Sequence, residues 1–370
     1  MSASPAPLAV FASFSGTGGV ERMLVSLIRG FVDLGQAVEL VLVRAESPHL
    51  ARLPAQVRRV PLGTDHTLLA APALARYLRQ SRPAALLAAK DRAGRTAVLA
   101  RALAGTGTPI ALRLGTHLST AMAGRGVFAR WLRYLPIRLL YPRIERIVAV
   151  SNGVAADTAR IARLPLESIS VVRNPVITPE LAAQAAQPCP HPWLDAGGAP
   201  VIVAAGRFQR QKDFPTLIRA FARVRMRRVC RLLILGEGRG REGLESLIAE
   251  LGLAGVVDLP GFQRNPYPYL ARAALFVLSS AWEGSPNVLT EAMALGVPVV
   301  STDCPSGPAE ILDGGRFGPL VPVGDADALA SAMEATLDRP LPADTLKSAV
   351  AEYEQGQSAR RYLELLGLGH

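Results

Sequence analysis

Hydrophobic and polar positions along this chain follow two alternating rhythms. Short apolar runs with strand character, "LAVFAS", "AVELVLVR", "ALLAAK", "PIALRL" and "RIVAVS", are separated by stretches such as "VERMLVSLIRGFVDLG", where apolar residues recur three and four apart. The first pattern predicts strands and the second amphipathic helices, so the chain is expected to be α/β with parallel sheets. A Pro/Ala-rich interval, Ile177–Pro200, breaks the rhythm and reads as a connection. The alternation then resumes with "VIVAAGR", "RLLILGEG", "VVDLPGF", "LFVLSS" and "VPVVSTD", and with helices such as "FPTLIRAFARVRM" and "REGLESLIAELG". The expectation is a Rossmann-like domain over residues 1–180, a connection over 181–199, a second Rossmann-like domain over 200–340 and closing helices over 341–370. Open sheets of this kind take ligands at the C-terminal ends of their strands, here expected at a cleft between the two sheets.

Composition narrows the classes. Hydrophobic residues make up 49% of the 370, yet Arg, Gly or Pro cuts nearly every long apolar stretch. No uncharged run reaches the ~20 residues of a membrane span. The start, "MSASPAPLAVFASFSGTGG", lacks a basic segment ahead of its apolar part, so a signal peptide is not expected and a cytoplasmic location is. Cys189, Cys230 and Cys304 show no paired spacing, which argues against disulfides and zinc, and Cys230 is expected to be buried. The net charge of +11 is confined to one half: residues 1–185 hold 23 Lys+Arg against 10 Asp+Glu, or +13, and residues 186–370 hold 18 against 20, or −2. Such asymmetry fits an anionic partner such as a membrane face, or a plain bias toward Arg. Nucleic acid is not expected, because no helix-turn-helix, zinc or RNA-binding signature accompanies the charge.

The densest chemistry lies in "SSAWEGSPNVLTEAMALGVPVVSTD", Ser279–Asp303. It reads as strand end, loop and helix, with Ser285 as N-cap, Pro286 at the first helical position and Gly296 past the end. The free first-turn N–H groups of Asn287 and Val288 could then meet a phosphate. Glu283 precedes that helix and Glu291 lies inside it, on the order of 10 Å away at 1.5 Å rise. Paired glycosidase carboxylates stand roughly 5–9.5 Å apart across one bond, so this spacing favours two ends of one extended ligand, such as a sugar and a ribose. A dipole-favoured acid and an ordinary helix glutamate would explain either residue alone. In "AAGRFQRQKDF", Arg207, Arg210 and Lys212 follow a strand and precede a helix, a setting suited to a diphosphate, with solvated surface charge as the alternative for Arg210.

Gly16, Gly18 and Gly19 stand between the first strand and helix, but "GTGGVE" lacks the dinucleotide frame because Glu21 takes the last glycine position. Gly236 to Gly240 is only a turn signal. His117, just past "IALRL", is either a residue reaching a ligand or a solvated loop histidine. "GRGVFARWLRYLPIRLLYPRIER" interleaves Phe128, Trp131, Tyr134 and Tyr141 with six arginines from Arg125 to Arg146. Such a segment can lie on an anionic bilayer, or be a surface helix with its apolar face turned inward.

Taken in order, "GRFQRQKDF", "LILGEG", "GF…YL" and "EGSPNVLTEAMALGVPVVSTD" resemble the retaining glycosyltransferases of family 4, with the two-domain GT-B fold. The likeness covers most of residues 10–335 and is strongest from Val201 to Val323. It implies that Arg207 and Lys212 hold the donor diphosphate and that Glu283 contacts the transferred sugar, together with amides around Ser285–Val288. Glu291 would bind the ribose hydroxyls, and Gly261–Phe262 would meet the base through the backbone. Gly18 and Gly19 would lie near the diphosphate and acceptor, His117 beside the donor sugar. The resemblance implies a nucleotide-sugar co-substrate with no cofactor and no metal, Asp325 of "VGDADAL" being an N-cap. It further implies an acceptor-binding first domain, a donor-binding second domain and a tail from Ala343 that crosses back to the first. "DCPSGPAEIL" is similar to members that use UDP-linked hexoses or N-acetylhexosamines in bacterial surface-glycan assembly, with glycan or polyprenyl-diphosphate-linked acceptors. A UDP-sugar epimerase or phosphorylase on the same scaffold, or a non-catalytic nucleotide-sugar-binding protein, is the alternative.

Overall fold

A computed structural model describes residues 6–16, 18–195 and 197–369. The reading of the chain start falls in part on residues 1–5, which lie outside the described residues. The chain divides into two compact units, Met1–Val176 with Tyr353–His370, and Ile177–Glu352.

Unit 1 holds seven parallel strands: β1 (Leu8–Phe14), β2 (Val38–Ala45), β3 (Arg58–Pro61), β4 (Ala85–Ala89), β5 (Ile110–Leu114), β6 (Arg146–Ala149) and β7 (Ile169–Val171). Their order is β3-β2-β1-β4-β5-β6-β7, so direction along the sheet reverses at β1. Helices α1 (Gly19–Asp33), α2 (Ala71–Ser81), α3 (Asp91–Ala104), α4 (Leu118–Ala121), α5 (Val127–Leu140) and α6 (Asn152–Ala162) connect them. The apolar run of β1 is uninterrupted because both faces are covered: Ala9 and Phe11 enter one core, Leu8, Val10 and Ala12 the other.

Unit 2 repeats the plan with six parallel strands. These are β8 (Val201–Ala205), β9 (Arg231–Leu235), β10 (Val257–Asp258), β11 (Leu275–Leu278), β12 (Val299–Thr302) and β13 (Leu320–Val321), ordered β10-β9-β8-β11-β12-β13. Its helices are α7 (Leu181–Ala185), α8 (Phe214–Arg227), α9 (Arg241–Glu250), α10 (Tyr267–Ala271), α11 (Asn287–Ala294), α12 (Pro308–Ile311), α13 (Ala326–Asp338) and α14 (Ala343–Ala349). Residues 181–199 are part of this unit, and Asn265 Nδ2 donates to the Gln184 carbonyl at 2.9 Å. Asp325 caps α13, accepting from the N–H groups of Asp327 at 3.0 Å and Ala328 at 2.9 Å. The last helix, α15 (Gln355–Leu365), belongs to unit 1, where Tyr362 sets its ring edge-on to Phe31 of α1 and Ser358 donates to the Arg173 carbonyl. Among the described residues no helix is long and apolar enough to cross a membrane.

Candidate active site

In each sheet the strand order reverses between two neighbouring strands, β1 and β4 in unit 1, β8 and β11 in unit 2. Loops diverge there and leave a crevice at the strands' C-terminal ends, the preferred ligand position of open α/β sheets. The chemistry of unit 2 gathers at its crevice. After β8 the chain runs from Gly206 to Lys212 before entering α8; after β11 it runs from Ser279 to Pro286 before entering α11. The two loops are sewn together: the Ala281 N–H donates to the Gln211 carbonyl at 2.8 Å, Gln211 Nε2 to the Trp282 carbonyl at 2.8 Å, and Ser279 Oγ to the Lys212 carbonyl at 2.7 Å.

That stitching sets Lys212 Nζ 2.5 Å from Glu283 Oε1, and Ser280 Oγ donates to the same oxygen at 2.7 Å. Both charges are shielded, with side-chain exposures of 14% and 9%. An ammonium has three donors and the carboxylate takes one, so the pair keeps cationic donor capacity for an anion. Arg207 is exposed, and its guanidinium makes no ion pair among the described residues. Arg210 is exposed as well. Glu291 is buried on α11, accepting from the Tyr267 hydroxyl at 3.4 Å. Burial, with Glu283 as a second cause, pushes the nearby Cys304 thiol up to about 12, so it stays protonated and inert at neutral pH.

The start of α11 differs from the expectation. Asn287 is its first residue and Pro286 the cap, and the Ser285 hydroxyl, expected to cap, is buried without a hydrogen-bond partner. The cause is tertiary. The loop after β12 presses on the turn, with Ser306 Oγ donating to the Gly284 carbonyl at 2.9 Å, and a Cβ on Gly307 would stand 2.7 Å from the Pro286 ring. Asn287 and Val288 still open the helix.

Gly236 to Gly240 proves to be more than a turn. Gly236, at φ 147°, donates to the Gly261 carbonyl at 2.9 Å, and a Cβ on it would stand 1.9 Å from the Gly206 carbonyl oxygen. The Phe208 N–H donates to the Glu237 carbonyl, and the Gly240 N–H to the Phe208 carbonyl. The segment thus fixes the Arg207–Phe208 backbone against Gly261, whose neighbour Phe262 is 45% exposed. Only the density of glycine beside a strand end marked this in the sequence.

Gly18, Gly19 and His117 belong to unit 1. Gly18 is extended, at φ −73°, and Gly19 opens α1. Glu21 folds back, accepting from the N–H groups of Ser15 at 3.0 Å and Gly16 at 3.3 Å, so the loop's own carboxylate takes amides that a dinucleotide loop would offer to phosphate. His117 Nδ1 lies 2.8 Å from Thr120 Oγ1 and 3.7 Å from Asp157 Oδ2, with the ring 16% exposed. At the β1/β4 reversal a cavity of about 410 Å3 is lined by Ser15, Lys90, Arg92, Thr116, Arg133 and Tyr141 among others. Asp91, also in its lining, receives Arg133 at 2.7 Å, Arg95 at 3.0 Å and the Tyr141 hydroxyl at 2.9 Å. Burial, helped by Asp91, pushes the Tyr141 phenol well above its ordinary value and keeps it a donor. Tyr141 is therefore an interior residue, in keeping at this position with the inward-packing alternative for Arg125–Arg146 and not with the bilayer one. Lys90 was not singled out in the sequence, though one signal existed: the chain has only three lysines, and two of them, Lys90 and Lys212, stand at the two crevices. Among the described residues no cluster of His, Cys, Asp or Glu could hold a metal.

Two parallel-sheet α/β units of this plan are those of the GT-B class of fold. The family model for group 1 glycosyl transferases matches residues 199–339, and that for glycosyltransferase family 4 matches residues 17–179. The chain belongs to these glycosyltransferases. It is 32% identical over 202 residues to the N-acetylgalactosamine-N,N'-diacetylbacillosaminyl-diphospho-undecaprenol 4-alpha-N-acetylgalactosaminyltransferase of Campylobacter jejuni, covering 55% of this chain and 53% of that one. With the lipopolysaccharide core biosynthesis glycosyltransferase LpsE of Rhizobium meliloti it shares 41% over 136 residues, 37% of this chain and 39% of the relative. The chain thus spans about half or less of the length of these curated relatives. The crystal structure of Anabaena HepE in complex with UDP superposes with a TM-score of 0.77 at 19% identity, covering 98% of this chain and 99% of that one.

Proposed function

We propose that the protein transfers a hexose or N-acetylhexosamine, with retention of configuration, from a UDP-sugar to a lipid-linked or glycan acceptor in surface-polysaccharide assembly at the cytoplasmic face of a membrane. The observation that carries this reading is the shielded Lys212–Glu283 pair, 2.5 Å apart at the reversal of sheet 2 with exposed Arg207 on the same loop. Breaking the sugar C1–O bond leaves the electron pair on the nucleotide diphosphate, and that developing charge needs fixed cations and N–H donors. Arg207, Lys212 and the first turn of α11 supply them. Glu283, held by Lys212 and Ser280, orients the sugar; Glu291 takes the ribose; Gly261 and Phe262 flank the base. The acceptor oxygen forms the new bond to C1 from the face the diphosphate leaves, and its proton passes to the departing phosphate, so no protein base is required. His117, Gly18 and Gly19 serve this reading from unit 1, and the cavity beside Lys90 takes the acceptor. The relative named for a diphospho-undecaprenol acceptor and the UDP-bound neighbour agree with it.

Calorimetric titration with UDP and GDP tests the donor assignment. UDP should bind, and Arg207→Ala and Glu291→Ala should each weaken it roughly tenfold or more, since both remove charge-assisted contacts. If neither nucleotide bound the intact protein, the assignment would fail.

The acceptor side carries its own prediction. Lys90 caps α3 at φ 106° and ψ 155°, a backbone region that only glycine enters without strain. Lys90→Gly should stabilise unit 1 by about 1 kcal/mol while slowing transfer to the acceptor. Denaturation and turnover measured on one preparation check both halves; stabilisation with full activity would remove Lys90 from the acceptor site.

A further inference from the structure

Helix α5 is inverted for a surface helix. Of its fourteen residues only Ile137 is buried, whereas Val127, Phe128, Trp131, Leu132 and Leu139 are 75, 74, 48, 58 and 55% exposed. At 3.6 residues per turn positions 127, 131, 135 and 139 stack along one side and 128 and 132 lie beside them, so the exposed residues form one apolar stripe. The Phe128 and Trp131 rings stack at 6.1 Å. Arginines surround the helix in sequence, and Arg125, Arg143 and Arg146 are exposed. Of the six from Arg125 to Arg146, only Arg133 has a carboxylate partner among the described residues; Arg138, Arg143 and Arg146 donate to backbone carbonyls. Arg133 and Ile137 of the same helix line the unit 1 cavity, and Arg133 Nη1 is buried there without a hydrogen-bond partner.

We propose that α5 lies in the interface of an anionic lipid bilayer, its Val127–Leu139 stripe among the acyl chains and the exposed arginines around it on the headgroups, so that the cavity it walls is held at the membrane surface. The charge pattern selects this occupant. A second copy docked through the same stripe would set uncompensated arginines against arginines, whereas anionic headgroups neutralise them. At 1.5 Å per residue the helix is about 21 Å long, shorter than the ~30 Å hydrocarbon core, so it lies on the bilayer and does not span it. The inference deepens the reading of the acceptor as lipid-linked and rests on it only for its purpose.

Co-sedimentation with phosphatidylglycerol/phosphatidylcholine vesicles and with pure phosphatidylcholine vesicles tests it in the absence of any substrate. The protein should partition onto the anionic vesicles, with Trp131 fluorescence shifting to the blue, and salt should weaken the binding. Phe128→Ser/Trp131→Ser should lose about tenfold or more in partitioning through lost apolar burial. Arg125→Ser/Arg130→Ser should lose about as much through lost attraction to anionic lipid. Retained circular dichroism and melting temperature show that the variants are folded, and neither readout depends on the donor assignment. Wild type remaining in the supernatant at low salt overturns the proposal, as does unchanged binding by the Phe128/Trp131 variant. Sedimentation velocity showing a dimer that this variant dissociates would also overturn it, assigning the stripe to self-association.

Discussion

Lys212→Met should cut sugar transfer by orders of magnitude and destabilise unit 2, and a second substitution should repair only the stability. Glu283 is 9% exposed in its side chain and shares one oxygen between Lys212 and Ser280, with Gln211 Nε2 3.4 Å from the other. Removing the ammonium leaves a shielded carboxylate with neutral donors only, a change that costs about 3–5 kcal/mol where one member of a buried pair is deleted. Lys212→Met/Glu283→Gln removes the orphaned charge and keeps an acceptor for Ser280, so urea denaturation should place it within about 1 kcal/mol of wild type. Turnover should stay roughly 100- to 1,000-fold down or lower in both, because each lacks the ammonium that the proposed mechanism sets on the leaving diphosphate. Wild-type turnover in the single variant would remove Lys212 from the chemistry. A double variant as unstable as the single one would show that packing of the lysine stem over Gly206, not charge, holds the two loops.

The architecture was legible where burial on both faces writes an unbroken apolar run, as in β1, β4, β8 and β11. It was not legible at the sheet edges. β3 reads "RRVP" and is paired on one side only, so its outward residues are free to be polar; Arg58 instead pairs with Glu39 across the β2/β3 seam. β7 and β13, of three and two residues, carry too little pattern to register. The site divides along similar lines. Lys212 and Glu283 each stand at a strand end and could be marked singly, but their union depends on β8 and β11 being neighbours in space while β9 and β10 intervene in sequence. Local rules failed where another loop intruded: Ser285 has the residue type of a cap, yet the Ser306–Gly307 loop fixes Gly284–Pro286 and moves the helix start by one residue. Composition could not choose between two orientations of α5, because a stripe of Val, Phe, Trp and Leu looks the same facing a core or a membrane.

Gly236→Ala should be the most damaging methyl group that can be added near the site. Its Cβ would stand 1.9 Å from the Gly206 carbonyl oxygen and 2.9 Å from the carbonyl carbon, both backbone atoms with no rotamer by which to withdraw, and φ 147° is strained for any L side chain. Either β9's end or the Gly206–Phe208 backbone must move. Gly206 makes its own hydrogen bond across this seam, its N–H donating to the Leu235 carbonyl at 2.9 Å, and it begins the loop that carries Arg207 and Lys212. The expected cost is therefore about 3 kcal/mol or more, with UDP binding lost even at temperatures where the chain stays folded. Gly243→Ala provides the contrast. It sits inside α9 with nothing within 4 Å of an added Cβ, so helix propensity alone should make it neutral or stabilising by about 0.5–1 kcal/mol. Denaturation midpoints and UDP titrations of the two variants separate general tolerance to glycine replacement from the specific close approach. If Gly236→Ala kept wild-type UDP affinity, the donor diphosphate would not depend on where Gly206 holds the Arg207–Lys212 loop, and the cations of that loop would have to be sought a different role.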